Sequence, residues 1–152
     1  MRLSGPFGYR FTFDSTRIIT VEDSDGGNKF SGPAARRVSK LYVVSHSEKP
    51  FYVGVTKQTI RARLRIGFNA NVVHGYRGYA WRHHLEHAML DVWVQDGADG
   101  DIMDLETVES EVVFLIRQEY EQWPANQTEI HFHPSDAKHR DAAQNILAYY
   151  RR

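Results

Sequence analysis

Two strand-like runs, residues 38–44 (Val-Ser-Lys-Leu-Tyr-Val-Val) and 51–55 (Phe-Tyr-Val-Gly-Val), are separated by only six residues, Ser45-His46-Ser47-Glu48-Lys49-Pro50. A polar spacer of hairpin length that ends in proline makes the two runs antiparallel neighbours. Whatever else the chain forms must be built around that pair. The segment that follows, Thr59-Ile60-Arg61-Ala62-Arg63-Leu64-Arg65, is made of strong helix formers with arginines two apart. On a helix Arg61 and Arg65 share a face while Arg63 points elsewhere.

The remaining segments extend this layout. Tyr9-Arg10-Phe11-Thr12-Phe13 and Arg17-Ile18-Ile19-Thr20-Val21 alternate as an N-terminal hairpin, followed by a polar glycine-containing loop and then Gly32-Pro33-Ala34-Ala35-Arg36-Arg37, a connector or basic arm. Residues 80–88 are expected to form a second helix and residues 90–94 a third central strand. A long helix is expected over 106–122, closed by Trp123-Pro124. Residues 128–132 fit a further strand, and Ser135 or Asp136 fits the cap of a C-terminal helix. The order predicts an α+β fold, a small antiparallel sheet of three central strands flanked by helices, with an N-terminal hairpin extension. It divides into an extension over 1–37, a main domain over 38–133, and a C-terminal helix of that domain over 134–152.

With 152 residues, 41% of them hydrophobic, the chain is of single-domain size. It contains no cysteine, which excludes disulfides, thiolate zinc sites and a cysteine nucleophile. No stretch approaches the roughly 18 apolar residues needed to cross a bilayer, and the N-terminus lacks an apolar leader, so a cytoplasmic protein without membrane partners is expected. The formal net charge of zero conceals a dipole. Residues 1–87 hold fourteen Lys and Arg against six Asp and Glu, +8, and residues 88–152 hold five against thirteen, −8. Such asymmetry points to nucleic acid on the basic part, with Arg36, Arg37, Lys57, Arg61, Arg65 and Arg77 as phosphate contacts.

Two tyrosines on paired strands followed by a basic helix are, taken singly, ordinary packing residues and a solvated face. Together, Lys40-Leu41-Tyr42, Tyr52-Val53-Gly54 and Arg61-Ala62-Arg63-Leu64 resemble the paired tripeptides and helical arginine of the GIY-YIG endonuclease family, with Lys40 and Leu41 replacing the usual Gly and Ile. Glu111 on the long helix, followed by Pro124 and Asn126, is similar to the later elements of that family. The resemblance covers residues 38–126.

The resemblance implies a metal-dependent endonuclease acting on DNA, duplex or branched. Tyr42 would activate water, with Tyr52 as its partner or as a donor to phosphate. Arg63 would fork onto phosphate oxygens. Glu111 would hold Mg²⁺, or Mn²⁺, to stabilise the leaving oxygen. Asn126 would orient the site, and His74 is the nearest counterpart of the family's histidine. A phenol with an ordinary pKa of about 10 needs nearby cations to work as a base at neutral pH.

Other readings use the same residues. A nucleic-acid-binding module without catalysis would present Tyr42 and Tyr52 for stacking. His83 with His87, or His131 with His133, would suit zinc, although His83-His84-Leu85-Glu86-His87 is not the metalloprotease order. The acidic loop over 96–104 lacks the glycine and closing glutamate of a calcium loop. Oligomeric state is left open by the sequence.

Overall fold

The computed structural model describes residues 1–14, 19–70, 79–97, 101–127 and 130–151. Its elements are β1 (Leu3–Phe13), β2 (Ile19–Asp23), α1 (Gly32–Ala35), β3 (Lys40–His46), β4 (Lys49–Thr56), α2 (Ile60–Asn69), β5 (His87–Gln95), α3 (Ile102–Tyr120) and α4 (Ala137–Tyr149). The five strands make one antiparallel sheet in the order β2-β1-β5-β3-β4. The N-terminal hairpin belongs to that sheet, because β1 pairs with β5 along most of its length.

The expected central hairpin is present, with a tighter turn than the spacer suggested. The strands run to His46 and Lys49, leaving Ser47 and Glu48 to turn the chain with φ of 50° and 64°. Two successive residues at positive φ match the right-handed twist of the flanking strands. Beside the turn, the pairing shifts register between Val44 and Ser45.

β3 lies inside the sheet and is buried on both faces, so its side chains divide between two cores. Tyr42 and Val44 pack with Ile60, Leu64 and Phe68 of α2. Leu41 and Val43 face the other way, onto Leu105, Val108, Val112 and Ile116 of α3 and Ala143 and Ile146 of α4. α2 therefore covers one face of the sheet, and α3 with α4 covers the other.

Residues 80–88 do not form the expected helix. They make a single 3₁₀ turn, Ala80–His83, and then enter β5 at His87. Pairing with both β1 and β3 outweighs the helical composition of this stretch. Residues 130–136 are irregular where a strand was expected, and Thr128 lies outside the described residues. This segment is tied to α3 by side chains instead: His133 lies 2.7 Å from Glu106 and His131 3.8 Å from Glu109. α4 begins at the expected cap, Asp136, in a reciprocal capping box with His139. Among the described residues no helix is long and apolar enough to cross a membrane.

Candidate active site

Tyr42 projects from β3 directly opposite Gly54 of β4. A Cβ at Gly54 would stand 2.6 Å from the Tyr42 hydroxyl oxygen, so only glycine lets the ring lie across the neighbouring strand. A second glycine works the same way on α2. A Cβ at Gly67 would stand 2.1 Å from the ring of Tyr79, the residue that leads into the 3₁₀ turn. The two glycines seat two phenols whose hydroxyl oxygens are 2.8 Å apart.

Arg63 and Tyr52 complete this cluster. The Arg63 guanidinium lies over the Tyr79 ring at 5.6 Å, and its charge acts on the Tyr42 hydroxyl. The Tyr52 ring is 5.9 Å from that of Tyr42 and meets Tyr79 edge-on at 5.1 Å. Tyr42 and Tyr79 are buried, while Tyr52 and Arg63 are half-buried. Arg61 and Arg65 point to solvent on the other side of α2, in agreement with the helical spacing.

Burial decides the protonation of Tyr42. Desolvation, then the charge of a neighbouring Tyr79 phenolate, push its phenol well above its ordinary value, and Arg63 offsets them only in part. Arg63 does favour the phenolate, as expected, but not enough to outweigh burial. At neutral pH Tyr42 is a neutral hydroxyl held between Arg63 and Tyr79.

Lys40 has a structural role that sequence reasoning missed. Its ammonium donates to the carbonyls of Arg36, Val38 and Gln58 at 2.9, 2.7 and 2.6 Å, tying the basic arm to the loop before α2. It is fully buried, and burial followed by the charge of Arg36 lowers its pKa to about 8. The arm thus fastened presents Arg36 and Arg37 to solvent, and Arg37 and Lys57 border a shallow groove against Ala62 and Ile66 of α2. His74 and Arg77 lie outside the described residues.

Glu111 and Asn126 are placed away from Tyr42. Asp104 accepts bonds from Lys138 and His139 of α4, and Glu119 pairs with Arg151 just beyond it. Glu111 lies two turns after Asp104 and two before Glu119, on the same side of α3, the flank that meets α4. It makes no hydrogen bond or ion pair among the described residues. Glu109, in contrast, is buried on the sheet side of α3 beside His131. All of α3 packs on the sheet face opposite Tyr42. The backbone of Asn126 donates to Phe51 at 3.2 Å, and the Gln127 side chain accepts from Val53 at 3.1 Å, so this segment edges β4 near the hairpin turn.

The donor set does not fit a divalent ion beside Arg63, because Glu111 faces α4 across the sheet. Among the described residues no three His, Asp or Glu converge on a common point. His83 and His87 are split between the 3₁₀ turn and β5, and His131 and His133 pair with different glutamates. What the cluster offers is a fixed cation, two linked phenols and a half-exposed third. Tyr79 was missed in the sequence, where its one signal was Gly67 inside an otherwise strong helix. Comparison of the chain with protein-family models, with curated proteins and with solved structures finds no match.

Proposed function

We propose that the chain is a DNA endonuclease resembling the GIY-YIG enzymes, with Arg63, Tyr42, Tyr52 and Tyr79 as its working face. The observation that carries this reading is the seating of Tyr42 on Gly54 with its hydroxyl 2.8 Å from that of Tyr79, the ring over which Arg63 lies. Arg63 supplies a permanent charge for phosphate oxygens, preorganised by its packing on Tyr79. Tyr42 and Tyr79 supply neutral hydroxyls that orient the arginine and a water or phosphate oxygen. Exposed Arg36, Arg37, Lys57, Arg61 and Arg65 extend the cationic surface along the DNA backbone. Mg²⁺ or Mn²⁺, bound by Glu111, would stabilise a leaving oxygen, but the residues present do not bring that carboxylate to Arg63.

A second reading is favoured by that placement of Glu111: a DNA-binding module that keeps the phosphate site and does not cut. Incubation with supercoiled plasmid separates the two. The nuclease reading expects nicking by the wild type that stops in Arg63→Ala. Retarded but intact plasmid at every protein concentration would leave the binding module.

A further inference from the structure

At the hairpin-turn end of the sheet, a cavity of about 410 Å³ is walled by the rings of Phe51, Trp81, Tyr120 and Trp123. We propose that this cavity receives one unstacked base of a DNA strand whose phosphates run past Arg63. The inference rests on the DNA reading above and gives it a substrate class: DNA with a bulged, looped or single-stranded base.

Two features select a base over other occupants. The walls are aromatic, and Trp123 stands 53% exposed at the rim, where an incoming ring can stack on it. Gln122 and Asn126 add amide groups able to meet either kind of base-edge atom.

The surroundings supply the strand's backbone with charge. Lys49 lines the cavity with its ammonium 5.1 Å from the Tyr120 ring centre, and His46 and His84 also border it. Trp81 links the cavity to the candidate active site, since its ring stacks on Tyr79 at 4.8 Å and Tyr79 carries Arg63 on its ring. An extruded base in the cavity would hold the adjoining phosphodiester toward that arginine. Extrusion of this kind costs least where the base is already unpaired, which makes the pocket selective for irregular DNA.

The test compares two labelled duplexes of equal length, one fully paired and one with a single bulged 2-aminopurine, by anisotropy in chelator. The wild type is expected to bind the bulged duplex at least about fivefold tighter, the lower end of stacking on one aromatic ring, and to quench the 2-aminopurine. Trp123→Ala should bring the two affinities together without changing that for the paired duplex, and Trp123→Phe should keep the preference. Equal affinity of the wild type for both duplexes, or an equal loss on both in Trp123→Ala, overturns the pocket while leaving the phosphate site standing. Competition by free adenosine monophosphate as strong as that by the bulged strand also overturns it. Failure to bind either duplex removes the DNA reading itself.

Discussion

The hydroxyl oxygens of Tyr42 and Tyr79, 37 residues apart in sequence, lie 2.8 Å from each other in the core beneath α2. Either Tyr→Phe change leaves a buried oxygen with one partner fewer, and each should cost about 1–3 kcal/mol. The double variant should lose clearly less than the sum, because both changes remove the same bond. Urea denaturation of the three variants measures this, and strict additivity would mean that the two hydroxyls do not act together.

Alanine normally stabilises a helix relative to glycine by about 1 kcal/mol. At Gly67 the opposite is expected, because the new methyl would strike the Tyr79 ring at 2.1 Å. Overpacking at this site should cost about 1–3 kcal/mol. A Gly67→Ala protein with a higher melting temperature than the wild type would show that Tyr79 is not seated on α2.

Arg63→Ala should slow cleavage at saturating DNA by about 100-fold, the usual loss on deleting a preorganised charge donor. Arg61→Ala, on the exposed side of α2, should weaken binding and leave the saturated rate nearly unchanged. With about four to six phosphates neutralised by the basic surface, log K should fall against log salt with a slope on the order of −4 to −5. Equal rate losses for both arginines, or a flat salt dependence, would contradict this division of labour.

Glu111→Gln should leave stability, DNA affinity and cleavage close to those of the wild type, since Glu111 sits on the α4 flank of α3 without a bonded partner among the described residues. Loss of cleavage with affinity intact would show that this carboxylate reaches the phosphate in the DNA complex.

Strong acid should loosen the α3–α4 contact at Asp104. The hydrogen bond from His139, then that from Lys138, holds this carboxyl below its ordinary value. Its stabilising effect is present in full above the unfolded value, about 3.9, and is lost as pH falls through the lower folded one. Asp104→Asn should therefore be less stable than the wild type at neutral pH, with the difference shrinking in acid. A difference that stays constant down to pH 2 would mean that the carboxylate charge contributes nothing.

Local pattern determined what depends on neighbours in sequence. Strand-forming residues over 38–44 and 51–55 with a short spacer make the β3–β4 hairpin, because its pairing partners are already adjacent. The spacing of Arg61, Arg63 and Arg65 was enough to turn one arginine inward and two outward, since α2 repeats every 3.6 residues. The cap at Asp136 and the start of α4 are equally local. Residues 80–88 were decided elsewhere, by hydrogen bonds from β1 and β3 that no composition in that stretch announces. The same holds for the candidate site. Tyr79 joins Tyr42 only because Gly67 on α2 admits its ring, and Glu111 is turned away because Asp104 and Glu119, on its own side of α3, are taken by α4. Which face of a helix meets the sheet and which meets another helix is set by packing among distant segments, and that choice placed Arg63 beside the tyrosines and Glu111 across the sheet from them.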